Sequence, residues 1–205
     1  MYKVGVVIFP GSNCEQETIR FLRTYPEFKI SIIWHKESSV PKLDMYVLPG
    51  GFSYGDYLRA GILASLSPVM NDIEKYANDG RKVLGICNGF QILCERKILP
   101  GTLRKNSPQK FICKETDLYD NRMNRYSIPI AHGDGQFYCD DKDHFEFEVA
   151  YRYSPPIPNG SLHAIAGIYN NQFNVLGLMP HPERAFEKHH KSQDGYKVIY
   201  NFLSR

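Results

Sequence analysis

Residues 82–92, KVLGICNGFQI, constrain the fold more than any other stretch of the chain. After Lys82 the run shows no polar alternation. As a strand it would be buried on both faces, and such strands belong to parallel sheets covered by helices. The run stops at Cys87, which has Gly85 and Gly89 two positions to either side. In a G-x-C-x-G turn a strand ends and a helix begins within one residue, which forces the central residue into a strained conformation. The glycines relieve crowding around the turn, which then thrusts the Cys87 sulfur out of the sheet and exposes it over a helix expected across 88–97. The partial positive charge of that helix N-terminus favours the thiolate, the reactive form of cysteine. A strand that merely ends between two glycines, with Cys87 as one more buried thiol, is the alternative, and the motif alone does not separate the two.

The flanking sequence repeats the strand signal. Residues 3–9 form a valine-rich apolar run broken at Pro10-Gly11, and Ser12-Asn13-Cys14-Glu15 has capping-box spacing, which predicts a helix to about residue 25. Strands are expected at 29–35, 44–48 and 82–86, with helices at 57–66 and 68–78 between the last two. From residue 111 the texture changes: FICKETDLY, RYSIPIAH, FEFEVAYRY and HAIAGIY read as antiparallel or edge strands. NVLGLM (174–179) is again strand-like, and a helix is expected at 196–203. The pattern predicts one domain over 1–205. Its fold would be α/β, a doubly wound, mostly parallel sheet with helices on both faces and an antiparallel elaboration, whose ligands bind beyond the carboxyl ends of the strands.

Charge and cysteine usage narrow the function. With 25 basic and 22 acidic residues the formal net charge is +3, which gives no reason to expect a nucleic-acid or anionic-membrane partner. Five cysteines, at 14, 87, 94, 113 and 139, form no C-x-x-C pair and suit reduced thiols. The N-terminal run is too short for a signal peptide and no segment approaches a membrane span, so the expected location is cytoplasmic. No metal site is expected. His189-His190 reads as a solvated loop with no third ligand nearby, and Cys94 as a small core hydrophobe.

A second motif follows the last apolar run: Met179-Pro180-His181-Pro182-Glu183. Proline on both sides biases His181 toward extended geometry, where Glu183 would lie on the same side and could fix the imidazole tautomer. That carboxylate supplies the third role of a nucleophile–base–orienter triad built on Cys87. Leu48-Pro49-Gly50-Gly51-Phe52 carries a strand into a glycine pair. Acyl transfer needs backbone donors at the developing oxyanion, and Gly51 and Asn88 are the candidates.

GICNGFQIL and MPHPER resemble the triad-type (class I) glutamine amidotransferases. LPGGFSYGDYLRAG, PIAHGDG, PNGS, IAGI and NVLGLMPHPERA resemble, within that group, the glutaminase-subunit family of phosphoribosylformylglycinamidine synthase, over nearly the whole chain. The resemblance implies a glutaminase that passes ammonia to a separate large synthetase subunit, with a small accessory subunit in the same complex. The synthetase would use ATP and magnesium to convert formylglycinamide ribonucleotide into formylglycinamidine ribonucleotide. No cofactor is implied for this chain, which has neither a G-x-x-x-x-G-K-[ST] loop nor a G-x-G-x-x-G fingerprint. The resemblance also implies glutamine contacts at Gln91, Phe52 and His132, although Gln91 reads equally well as a solvent-facing helix residue and His132 as the end of a strand. The chain departs from the family pattern at Asp134, Gln136 and Ile157, where glutamate, arginine and asparagine are usual. The alternatives are another elbow-cysteine hydrolase, such as a γ-glutamyl peptidase, and an inactive binding subunit.

Overall fold

The apolar runs become the centre of a nine-stranded sheet in the computed structural model, which describes residues 1–140 and 146–205. In chain order the elements are β1 (Tyr2–Ile8), α1 (Glu15–Leu22), β2 (Phe28–Trp34), β3 (Met45–Leu48), α2 (Ile62–Ser65), α3 (Val69–Asn78), β4 (Lys82–Ile86) and α4 (Asn88–Glu95). There follow β5 (Thr102–Arg104), β6 (Ile112–Tyr119), β7 (Arg125–His132), β8 (Gln136–Tyr138), β9 (Phe147–Tyr153), β10 (Ile165–Asn170), β11 (Val175–Leu178) and α5 (Gly195–Leu203). The strand expected over 145–153 is thus seen from Phe147, and its first residue, Phe145, lies outside the described residues.

The sheet order is β2-β1-β3-β4-β11-β10-β9-β6-β7. Its first five strands are parallel. The remaining four join through antiparallel pairs. The direction in which the chain adds strands reverses between β1 and β3, the switch point where doubly wound sheets open a crevice. Helices cover both faces. On one side Phe21 of α1 meets Tyr196 of α5 at 5.6 Å between ring centroids. On the other, Arg96 ties three elements together, donating to Glu74 and Asn71 of α3 and to the Ser65 carbonyl of α2. Short β5 and β8, which the sequence did not signal, pair with each other outside the main sheet.

Three helices differ from expectation. Ser12 does not cap α1. It sits in an isolated antiparallel bridge with Gly51, and its hydroxyl accepts from the Phe9 N–H at 3.3 Å, so the helix starts later, after Cys14. The helix expected at 57–66 is confined to α2. Tyr54, Asp56 and Leu58 all have positive φ, and Gly61 sits so close to α4 that a Cβ there would lie 2.8 Å from the Ile92 nitrogen. The segment 52–61 is therefore a loop moulded onto α4, and packing overrides its helical pattern. α4 itself ends at Glu95, two residues short of expectation, because Lys97 turns left-handed (φ 66°).

What positions the site is the return of the outermost strand. β7 pairs on one side with β6, and its other edge is covered rather than open. The Ser127 carbonyl accepts from the Ser192 hydroxyl, the Pro129 carbonyl from the His181 N–H at 2.8 Å, and the Ala131 carbonyl from the Cys87 thiol at 3.7 Å. The sheet curls until its antiparallel edge meets the carboxyl ends of β4 and β11. This also removes the pairing liability of an exposed edge.

Candidate active site

Cys87 has φ 49° and ψ −102°, a region closed to relaxed non-glycine residues, and it caps the N-terminus of α4. Such a conformation costs on the order of 1–3 kcal/mol and persists only where surrounding contacts over-determine it. Here the Cys87 N–H donates to the Leu178 carbonyl at 2.8 Å, tying the elbow to β11. The glycines act through the neighbours of the elbow. A Cβ on Gly85 would lie 2.7 Å from the Gly89 carbonyl carbon, and one on Gly89 would lie 2.8 Å from the Leu48 carbonyl carbon of β3. They let the first turn of α4 lie directly on β4 and β3. The expectation of an exposed sulfur is corrected: Cys87 is only 5% exposed, because β7 folds over it.

His181 and Glu183 are both 1% exposed, with Nδ1 of the ring 2.6 Å from Oε1 of the carboxylate. The contact is not made by extended backbone, as expected, but by a 3-10 turn over Pro182–Arg184, closed by the Arg184 N–H on the His181 carbonyl. Proline at the first position of that turn has its φ preset and lacks an N–H that would need a partner. The ring packs against Gly50, where a Cβ would lie 2.9 Å from Cε1. Burial disfavours the imidazolium, but the Glu183 charge and the neighbouring Cys87 outweigh it and hold the histidine well above its usual range. With Nδ1 committed to Glu183, Nε2 is buried and is left for Cys87, with no other hydrogen-bond partner among the described residues. A sulfur, a proton-carrying ring and an orienting carboxylate in this order can perform nucleophilic acyl transfer.

The remaining candidates gather around this line. Gly51, at φ 135°, faces Ser12 across the bridge, which is held by the Phe52 N–H on the Gly11 carbonyl at 3.2 Å and does not use the N–H of Gly51. Asn88 is the first residue of α4, where backbone N–H groups have no helical partner, and its side-chain oxygen accepts from the Ser53 N–H at 3.2 Å. Gln91 is buried, not solvent-facing: its oxygen accepts from Asn88 at 2.8 Å and its nitrogen donates to the Asp134 carbonyl at 2.6 Å. Phe52 is 42% exposed, with its ring 6.3 Å from that of Phe111. His132 ends β7 and is buried. Its Nδ1 is 3.0 Å from the Asn106 side-chain oxygen. Of the departures from the family pattern, Gln136 donates to the Gly160 carbonyl at 2.8 Å and Ile157 is an exposed side chain.

Several residues at the site carry no motif. Cys14 is buried beside the His181–Glu183 pair, and the ligand atoms of all three lie within 4.8 Å of one another. A cation there would add positive charge beside an imidazole that Glu183 already holds toward its protonated form. It would also need a thiolate that burial and the Glu183 charge disfavour, pushing the Cys14 thiol up to about 12. Arg184 donates to the Cys14 sulfur at 3.2 Å and to Glu17 at 2.8 Å. His189 and His190 do have a third group nearby, Glu187, contrary to expectation. Nδ1 of His190, however, accepts the backbone N–H groups of Phe186 and Glu187, and Glu187 is paired with Arg20. Asp56 is partly buried, with one oxygen lacking a hydrogen-bond partner among the described residues. Burial and the Asp134 charge raise it to about 6. Cys94 is fully buried as expected, its thiol donating to the Pro100 carbonyl at 3.6 Å.

The family described as the CobB/CobQ-like glutamine amidotransferase domain matches residues 1–198. A phosphoribosylformylglycinamidine synthase subunit PurQ from a Nostoc species is 43% identical, covering 99% of this chain and 97% of that protein. The protein of the same name from Salinibacter ruber is 41% identical, with 98% and 96% covered. The chain belongs to the PurQ family. It is therefore a glutamine amidotransferase by descent. Its backbone superimposes on a chain of the PurLQS structure from Thermotoga maritima with a TM-score of 0.91 at 40% identity, covering 100% of this chain and 99% of that one. A glutamine amidotransferase from the same organism shares the fold alone, at a TM-score of 0.59 and 16% identity, covering 99% of this chain and 82% of that one. Among the described residues no helix is long and apolar enough to cross a membrane.

Proposed function

We propose that this PurQ-family chain is the glutaminase subunit of formylglycinamidine ribonucleotide synthase, with Cys87, His181 and Glu183 as its catalytic groups. The Cys87 thiol passes its proton to His181 Nε2, and the sulfur attacks the side-chain amide carbon of glutamine, the carbonyl electron pair moving onto oxygen, held by the N–H groups of Gly51 and Asn88. His181 gives the proton on Nε2 to the nitrogen as the C–N bond breaks, releasing ammonia. Water then attacks the γ-glutamyl thioester while the same imidazole takes its proton. The C–S bond breaks and glutamate departs, with Glu183 orienting the ring throughout. Gln91, Phe52 and His132 contact the substrate. Ammonia passes to a large synthetase subunit that carries ATP and magnesium, in a complex that also holds a small accessory subunit, in the cytoplasm and in service of purine biosynthesis.

The observation that carries this reading is the elbow itself. A strained cysteine with positive φ at the start of a buried helix lies beside a buried His–Glu pair 2.6 Å apart. The test is labelling with a glutamine-mimicking alkylator in the presence of the synthetase partner, followed by peptide mapping. Modification confined to Cys87, together with loss of glutamine-dependent but not ammonia-dependent synthesis, is the expected result. An unmodified Cys87 in the active complex would refute the assignment.

A further inference from the structure

His132 is held by a buried amide network that fixes what each of its ring nitrogens can do. Asn106 is fully buried and uses both hydrogens of its side-chain nitrogen, on the carbonyls of His132 (2.7 Å) and Lys110 (3.0 Å). Its oxygen accepts from the Gly135 N–H at 3.0 Å, which fixes the orientation of the amide. The 3.0 Å contact of His132 Nδ1 with that same oxygen therefore requires Nδ1 to carry the hydrogen. Nε2, at the far side of the ring, is then a bare lone pair. It is fully buried with no partner among the described residues, on a side chain only 2% exposed.

The ring also stands at the reaction centre. The carbonyl of the preceding residue, Ala131, accepts from the Cys87 thiol, and that of Pro129 accepts from the His181 N–H. His132 feels the His181 charge, which together with the larger effect of burial pushes it down to about 3. It stays neutral at any working pH and accepts hydrogen bonds without taking a proton. Gly135 locks the ring, since a Cβ there would collide with its Cγ, Nδ1 and Cε1.

We infer that His132 Nε2 accepts a hydrogen bond from the carboxamide nitrogen of glutamine, making His132 the residue that orients the leaving group for protonation by His181. The inference rests on the glutaminase reading and deepens it. A tetrahedral intermediate has two hydrogens and one lone pair on its nitrogen, and only the lone pair can receive the His181 proton. Holding one hydrogen on His132 turns the lone pair toward His181. A neutral acceptor does this without competing for the proton.

The test compares glutamine with the γ-methyl ester of glutamate, whose leaving oxygen has no hydrogen to donate, on the full chain in complex with its synthetase. His132→Asn keeps a donor for Asn106 but removes the acceptor at the ε position, and His132→Gln offers an oxygen near that position. For His132→Asn, kcat/KM for glutamine is expected to fall roughly ten-fold or more, as for loss of one hydrogen bond in the transition state, while the ester rate stays within about three-fold. His132→Gln should recover part of the amide rate. Equal losses on amide and ester, or no loss on the amide, would overturn the proposal, since a merely structural role would not separate the two substrates. If His132→Asn does not fold, the amide-to-ester ratio of His132→Gln decides: an unchanged ratio refutes. If the unaltered complex hydrolyses neither substrate, the glutaminase reading fails first and this inference falls with it.

Discussion

Gly89→Ala is the most demanding test of how the elbow is built. The added methyl would lie 2.8 Å from the Leu48 carbonyl carbon, 2.9 Å from Leu48 Cβ and closer still to the Leu48 oxygen, all in the buried end of β3. Ordinary carbon contacts begin about 3.5 Å away, so the first turn of α4 must move from β3 by on the order of 1 Å. Neither side can yield cheaply. Leu48 is wholly buried in a strand paired on both sides, and α4 is buried from Asn88 to Cys94. Overpacking of this kind costs about 1–3 kcal/mol, which for a domain of this size lowers Tm by roughly 3–10 °C. The same shift carries Cys87 and the Asn88 N–H away from the His181 ring, and misplacement by about 1 Å costs on the order of 100-fold in rate. Calorimetry and glutamine hydrolysis in the complex measure the two effects. Gly80→Ala is the control: it replaces a left-handed glycine (φ 79°) with nothing within 4 Å of the new methyl, at a cost of about 1 kcal/mol of strain and no loss of rate. Should Gly89→Ala keep its Tm and hydrolyse glutamine within about two-fold of the parent rate, the account of why both glycines flank Cys87 is wrong.

Two further outcomes follow from the buried charges. Glu183→Gln keeps a hydrogen-bonding group beside His181 but removes its charge, and kcat should fall by about 100- to 10,000-fold with little change in KM. The folded pKa of His181 is raised, so the stability it contributes is complete below the unfolded value near 6.5 and is lost as pH rises through the folded value. The Tm gap between parent and Glu183→Gln should accordingly be wider at about pH 6 than at about pH 10, and a gap independent of pH would refute the charge pairing. Asp56 has the opposite consequence. Its carboxyl is raised to about 6 by burial and by Asp134, so the ionised form strains the fold above that pH, whereas below the unfolded value near 4 the strain is absent. Two pKa units would be about 3 kcal/mol, discounted to about 1 kcal/mol because the group is part-exposed. Asp56→Asn should therefore raise Tm by roughly 2–4 °C at about pH 8 and leave it unchanged at about pH 4. No gain at the higher pH would show that burial and the Asp134 charge do not penalise the ionised form.

Local chemistry determined a good deal of this protein. Unbroken apolar runs dictate buried parallel strands, and β4 and β7 fall where their patterns end. Gly85 and Gly89 around one cysteine dictate a strand-to-helix kink, and the two-residue spacing of His181 and Glu183 pairs them, although through a 3-10 turn rather than the extended backbone that the flanking prolines suggest. These are properties of a few neighbouring residues, so they can be read along the chain. Distance in sequence hid the rest. Nothing near Ser12 foretells that it bridges Gly51 instead of capping α1, and nothing near Tyr57 foretells that its segment is pressed onto α4 as a loop. The burial of Cys87 is likewise decided by Ala131, a residue 44 positions away. Tertiary structure alone brings the edge of β7 back over β4 and β11, and with it the covered sulfur, the neutral His132 and the Asn106 that fixes its tautomer. The physical reason is that an edge strand must satisfy its free carbonyls somewhere, and the curl of the sheet places them against backbone and thiol donors at the ends of the parallel strands.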